Sequence, residues 1–174
     1  MHRSLPVVFA AAALALTACA ESPVLEPSVA ASVARSRAAS PGRPAGGTCT
    51  MVGRTILPLL PGQPANVTRR QTEWVCQLQH LGRTTLTNID AGAAGSIVAG
   101  TAVFTAANGD QLFTTSSGTA TFPDANGIVT FRGTDTVTGG TGRFAGASGS
   151  LTRTASVSVR VLSGTYEFDG TLSY

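Results

Sequence analysis

Polar and apolar residues alternate along most of the chain after residue 48, and this period of two predicts β-strands. The clearest run is 128–138, where Val129, Phe131, Asp135 and Val137 share one face and threonines dominate the other. Further strands are predicted at 48–57, 71–81, 84–89, 96–106, 111–122, 151–162 and 165–174. About eight strands joined mostly by short turns predict an antiparallel sheet that closes into a small barrel.

A glycine-rich segment, GGTGRFAGASG, separates the strand at 128–138 from the next one. Part of it fits G-x-G-x-x-A, but that dinucleotide fingerprint needs a following helix and an acid about 20 residues on. The next residues alternate like a strand, and Arg160 stands where the acid is needed. The segment is therefore predicted to be a structural turn motif, carried by Gly139, Gly140, Gly142, Phe144, Gly146 and Gly149.

The same segment resembles the G-G-T-G-x-F-x-x-A-x-G stretch of allene oxide cyclase and dirigent-type barrels. The matching residues are Gly139, Gly140, Thr141, Gly142, Phe144, Ala147 and Gly149, and the resemblance covers roughly residues 96–174. It implies an all-β fold, a small antiparallel barrel of about eight strands whose lumen holds side chains or one small ligand. A shared fold does not transfer chemistry, so no activity follows from the segment itself.

The first residues predict export. A short basic start precedes the apolar run Leu5–Ala18, which is typical of a secretory signal and too short to span a bilayer. It ends in Leu16–Cys19, which resembles the lipobox of bacterial lipoproteins and implies cleavage before Cys19 and lipidation of that residue. The alternative is an ordinary signal peptide with an incidental cysteine. Ala20 in place of an aspartate favours the outer membrane, where two membranes are present.

These observations predict three segments. Residues 1–18 form a lipoprotein signal peptide, residues 19–47 a lipidated and disordered linker rich in Ala, Ser, Pro and Gly, and residues 48–174 the barrel. The predicted partners are the membrane, reached through the lipid anchor, and a small apolar ligand in the barrel, while the oligomeric state is left open. From residue 48 onward eight arginines face seven acids and lysine is absent, which argues against nucleic acid.

With Cys19 lipidated, Cys49 and Cys76 remain, and in an oxidising compartment such a pair predicts a disulfide. The bridge would stabilise the fold by about 3 to 4 kcal/mol in the chain-entropy model. Two free thiols or two metal ligands are the alternatives. His80 is the one histidine near them, and three scattered ligands make a weak metal site, so neither a metal nor a cofactor is predicted.

Catalytic candidates are few. No G-x-S-x-G motif is present, so nucleophilic hydrolysis has no support. Asp135 on an apolar face is a candidate for the lumen, paired with an arginine such as Arg153, and there it could act as a general acid or base. Arg132 and Tyr166 are further weak candidates. Alternatively, Asp135 faces water or forms a buried ion pair that fixes register.

The sequence thus favours a lipid-anchored envelope barrel, non-enzymatic, that binds a small apolar ligand or is structural. Its alternatives are a cyclase of the allene oxide cyclase type acting on a flexible apolar substrate, and an interaction module using the loops at one barrel end. Periodicity cannot decide between them, because a register error of one residue exchanges inside for outside.

Overall fold

The computed structural model describes residues 42–93 and 95–174 of the chain. The predicted signal peptide, the lipidation site Cys19 and the linker as far as residue 41 lie outside the described residues. Among the residues described, no helix is both long enough and apolar enough to cross a membrane.

The described chain is a closed antiparallel barrel of eight strands, in which each strand pairs with the next and β8 pairs with β1. The all-β barrel predicted from the alternating pattern is therefore confirmed. The strands are β1 (Arg43–Leu57), β2 (Thr68–Leu78), β3 (Gly82–Gly92), β4 (Ile97–Ala106), β5 (Gln111–Ala120), β6 (Ile128–Gly140), β7 (Ser148–Ser158) and β8 (Gly164–Ser173). A single turn of 3₁₀-helix, Gly142–Phe144, lies between β6 and β7.

Because successive strands run in opposite directions, the loops fall into two groups at the two barrel ends. The β2–β3, β4–β5 and β6–β7 connections lie at one end, here named the closed end. The β1–β2, β3–β4, β5–β6 and β7–β8 connections lie at the other, the open end. All eight strand ladders join residues within 43–173, so the segment 42–174 contains the hydrogen-bonding partners that its barrel needs to fold independently.

Large apolar side chains fill the lumen at the closed end. The buried set includes Phe104, Leu112, Phe144, Leu151, Phe168 and Leu172. Phe144 comes from the 3₁₀-turn and packs edge-on against Tyr174, with ring centroids 5.1 Å apart. A side chain at Gly142, where φ is 54°, would overlap the carboxylate of Asp110. The glycine segment thus lets the chain fold tightly enough to place an aromatic ring across this end.

The first strand begins earlier than the sequence indicates. The predicted linker ends at residue 47, whereas β1 begins at Arg43 and pairs with β8 from there. Ala45 is buried, and a side chain at Gly47 would overlap the backbone oxygen of Gln77. The Pro-Ala-Gly-Gly stretch has the composition of a linker, yet the small residues serve close packing between neighbouring strands.

Two of the other boundary differences shape the open end. The strand predicted to end at residue 89 is longer, because β3 continues through Asp90 to Gly92. The strand predicted to reach residue 162 ends at Ser158, whose hydroxyl accepts hydrogen bonds from the backbone N–H groups of Arg160 and Val161. Such a serine turn competes with continued strand pairing, so the residues after Ser158 form a loop.

Candidate functional site

The lumen is unfilled toward the open end. An inner cavity of about 80 Å³ lies deeper in the barrel, and a wider vestibule of about 420 Å³ lies at the mouth. Arg54, Arg70, Ala120, Val129 and Val159 line both. The rest of the inner cavity wall is mostly apolar and includes Met51, Val98, Phe131, Ala155 and Val157. This half of the lumen therefore offers an apolar wall reached from the open end.

Charged and amide side chains form a polar cluster in and behind the wall of the inner cavity. The cluster consists of Arg70, Asn88, Asp90, Asp135 and Arg153. Arg70 Nε lies 2.6 Å from Asp90 Oδ1, and Asn88 Nδ2 donates a hydrogen bond of 2.7 Å to Asp90 Oδ2. Arg153 Nη1 donates to Asn88 Oδ1 at 3.3 Å. Four strands, β2, β3, β6 and β7, thus contribute to one connected group of side chains.

Arg153 is the centre of this cluster. Its Nε lies 3.2 Å from Asp135 Oδ2, and Thr114 Oγ1 donates to the other oxygen of Asp135 at 3.3 Å. The guanidinium carbon lies 4.6 Å from the ring centroid of Phe131 and 4.9 Å from that of Tyr166. Charge pairing and two aromatic faces together compensate a cation that is almost fully buried.

Two facing glycines create the space for this arrangement. Gly118 of β5 lies opposite Gly133 of β6, and Gly133 lies opposite Arg153 of β7. A Cβ atom on either glycine would approach the ring of Phe131 to 2.6 Å. The ring therefore lies over the glycine pair, where it contacts the guanidinium of Arg153.

Tyr166 connects the cavity wall to the aromatic core. Its ring stacks on Trp74 with centroids 3.6 Å apart, and Trp74 Nε1 donates to Thr72 Oγ1 at 2.9 Å. Trp74 is the chain's one tryptophan, and it is buried next to a residue that lines the inner cavity. Its fluorescence can therefore report on what enters the lumen.

Burial sets the electrostatics of the site. It raises the pKa of the Asp90 carboxyl, although Arg70, Arg153 and the hydrogen bond from Asn88 oppose the shift. Burial likewise raises the pKa of Asp135 against the pull of Arg153 and Thr114. The pKa of Tyr166 is raised mainly by burial, so its hydroxyl stays protonated. If either carboxyl were protonated, the arginines of the polar cluster would carry a positive charge that no carboxylate balances. Such a charge suits an oxygen-rich or anionic group of a ligand.

The three candidate residues predicted from the sequence, Asp135, Tyr166 and Arg132, lie in different surroundings. Asp135 faces the lumen and is fully buried, but it does not line the inner cavity. Tyr166 lines the cavity directly. Arg132 is wrong as a lumen candidate, because it is exposed on the outer face of β6. Arg153, one strand further along, is the arginine that meets Asp135.

Asp90, Asn88 and Arg70 were missed by sequence reasoning. The signal that could have found them is the alternation of β3, where Leu86, Asn88 and Asp90 are all buried. The small residues after Asp90 indicated a loop and hid the continuation of the strand.

The predicted disulfide between Cys49 and Cys76 is confirmed, and the two residues lie directly opposite each other in the β1–β2 ladder. His80 is exposed in the β2–β3 turn, where its φ of 65° ends the predicted strand before residue 81. Within residues 42–93 and 95–174, no three His, Cys, Asp or Glu side chains are grouped so that they could hold a metal ion.

Comparison with known proteins found one likeness in shape. No protein-family model matches the chain, and no curated protein matches it. Among solved structures, the pterocarpan synthase dirigent protein is 13% identical, covers 76% of this chain and 86% of its own, and has a TM-score of 0.49. The likeness is to a protein of the dirigent type, and the barrel assignment rests on the strand ladders themselves.

Proposed function

We propose that the barrel binds a small, largely apolar ligand in the inner cavity and vestibule, with a polar or anionic group of the ligand against the polar cluster. The observation that carries this proposal is the uneven filling of the lumen. Aromatic and aliphatic side chains occupy the closed half, whereas the open half has largely apolar walls that also include the half-buried Arg70 and the buried Arg153. A purely structural barrel has no need of this difference between its halves.

The dimensions support the same proposal. The vestibule, at about 420 Å³, has a volume typical of ligand pockets, roughly 300–1,000 Å³. The inner cavity, at about 80 Å³, has room for one small group. Arg70 and Arg153 line it with guanidinium donors, which bind a carboxylate or similar oxygen group well. The ligand would therefore enter polar end first and leave its apolar body in the vestibule.

A fluorescent anionic probe tests this proposal. We expect segment 42–174 to bind 1-anilinonaphthalene-8-sulfonate saturably at one site and to show quenching of Trp74. Ala120→Phe places a ring in the cavity wall and should abolish binding. Thr119→Phe, on the outer face of the same strand, is the matched control and should bind normally. Near-ultraviolet circular dichroism verifies that both variants are folded.

The absence of saturable binding, or equal binding by the two folded variants, would refute a lumen site. Native mass spectrometry of the barrel purified from its own host's envelope then identifies the natural ligand. A stoichiometric small molecule present in the wild-type protein and absent from Ala120→Phe is the expected result.

A cyclase-like activity is the second candidate, favoured by one observation. Asp90 is a buried carboxyl in the cavity wall with a raised pKa, so it can hold a proton for transfer to a bound substrate. If the co-purifying ligand is converted, Asp90→Asn should abolish conversion and preserve probe binding. Conversion at an unchanged rate would remove Asp90 from the chemistry.

We further propose that the barrel is anchored in a bacterial envelope through lipid on Cys19, as the lipobox-like residues predict. Metabolic labelling with radioactive palmitate tests this directly. Incorporation in the full chain and its loss in Cys19→Ala is the expected outcome. Labelling that persists in Cys19→Ala would contradict this site.

A further inference from the structure

Large exposed apolar side chains concentrate at the open end. Of the eight in the described chain, seven lie in or beside its loops and form what we name the apolar rim: Ile56, Leu59, Leu60, Phe122, Val159, Val161 and Leu162. Phe122 is 72% exposed and Ile56 is 64% exposed. The eighth, Val52, lies at the bulge of β1 on the barrel wall. Grouping of this kind at one end of a barrel marks an interaction surface.

Hydrogen bonds hold these loops in place. Gln63 Oε1 accepts from the backbone N–H of Leu60 at 2.8 Å in the β1–β2 loop. Asp124 Oδ1 accepts from the N–H groups of Asn126 and Ile128 in the β5–β6 loop. Arg160 Nη2 donates to the backbone oxygen of Ala125 at 2.9 Å, which joins the β7–β8 loop to the β5–β6 loop. These hydrogen bonds therefore fix the conformation of the loops that carry the apolar rim.

The charges around the rim are mainly positive. Arg54, Arg69 and Arg160 lie at the open end, and each donates a hydrogen bond to a backbone oxygen. None of these three hydrogen bonds pairs the arginine with a carboxylate. The acids nearby are Asp90, which is buried against Arg70, and Asp124, which caps its own turn. An apolar surface edged by arginines complements one chemistry in particular, apolar chains beneath anionic head groups.

We propose that the apolar rim inserts into the surface of an anionic lipid bilayer, with Arg69 and Arg160 against the head-group phosphates. The mouth of the lumen would then face the bilayer, and an apolar ligand would pass between them without crossing water. The passage of a ligand between lumen and bilayer rests on the proposed lumen function, whereas the docking of the rim does not. The proposal concerns barrel residues alone and is independent of any lipid on Cys19.

Vesicle co-sedimentation of segment 42–174, which lacks Cys19, tests the docking. Vesicles of phosphatidylcholine mixed equally with phosphatidylglycerol should bind it. The Phe122→Ser/Leu162→Ser variant should bind at least about tenfold more weakly, since each side chain loses apolar burial. Val52→Ser removes an apolar side chain that is 53% exposed, close to the 54% of Leu162, but lies away from the rim, and this variant should bind normally.

Two arginine variants test how much charge contributes to vesicle binding. Arg160→Gln should weaken binding about fivefold, the effect of one arginine near an anionic surface. Arg83→Gln changes an exposed arginine at the closed end and should have no effect. Added salt should weaken binding of the wild-type barrel, because it screens the arginines.

Several results would overturn the docking proposal. They are no sedimentation with mixed vesicles, equal losses in the rim variant and Val52→Ser, or equal binding to pure phosphatidylcholine. A dimer that dissociates in the rim variant without vesicle binding would instead make the rim a contact between copies. The lumen proposal is tested separately, because Ala120→Phe should lose probe binding and still sediment with vesicles.

Discussion

Arg153 on β7 and Asp135 on β6 form an ion pair inside the barrel, with Nε 3.2 Å from Oδ2 and the two side chains 3% and 0% exposed. Arg153 lies opposite Gly133, two residues from Asp135 along β6. The guanidinium therefore reaches the carboxylate diagonally, and the Phe131 ring occupies the space that a side chain at position 133 would need. Predictions about stability begin with this pair, because removing one buried charge leaves the other uncompensated.

Asp135→Leu should lower the free energy of unfolding by about 3 to 5 kcal/mol, because Arg153 cannot lose its proton. Asp135→Leu combined with Arg153→Met removes both charges and should recover most of that loss. Urea unfolding of the wild type, the two single variants and the double variant measures the coupling. Losses that simply add in the double variant would show that the two charges do not depend on each other.

The raised pKa values of Asp90 and Asp135 predict a pH dependence with a definite sign. The folded state binds protons more tightly than the unfolded state at these carboxyls. Their contribution to stability is therefore complete below the ordinary aspartate pKa of 3.8 and declines as pH rises through the raised values. Wild type should gain stability relative to Asp90→Asn/Asp135→Asn as pH falls toward 3.8. Urea unfolding of both proteins across this range gives the difference, and a flat or opposite trend would contradict the assignment.

Phe144→Ala should destabilise the barrel by about 3 to 5 kcal/mol, because it empties the closed end of a fully buried ring. The matched control is Phe122→Ala, which removes the same ring from a position 72% exposed. That change should alter stability by less than about 0.5 kcal/mol. Chemical denaturation of the two variants compares them directly. Similar losses would mean that Phe144 does not close the lumen.

The disulfide should contribute about 3 to 4 kcal/mol, given the sequence separation of 27 between Cys49 and Cys76. Urea unfolding of segment 42–174 with and without dithiothreitol measures this contribution. Cys49→Ala/Cys76→Ala is the control, since its midpoint should be low and insensitive to the reductant. A midpoint of the wild type that reductant leaves unchanged, under conditions where thiol titration shows both cysteines reduced, would contradict the estimate.

The face of β6 that enters the lumen shows how far alternation can predict a site. Period two correctly grouped Phe131, Asp135 and Val137, because neighbouring side chains of a strand point to opposite sides. It also placed Arg132 on the opposite face from Asp135, but it could not tell which of the two faces lines the lumen, since that depends on how β6 pairs with β5 and β7. Asp90 was lost for a different reason, since its small neighbours resemble a loop and become strand only through pairing with β2 and β4.

Strand alternation and turn glycines, which are properties of short stretches of chain, were sufficient to predict the all-β barrel. The disulfide was predicted from the number of cysteines together with the expected export to an oxidising compartment. The open half of the lumen, the polar cluster and the apolar rim depend on tertiary structure. Arg153 and Asn88, which share a hydrogen bond, are 65 residues apart in sequence. Only barrel closure and the register of all eight strands bring such residues together and determine which space their side chains leave unfilled.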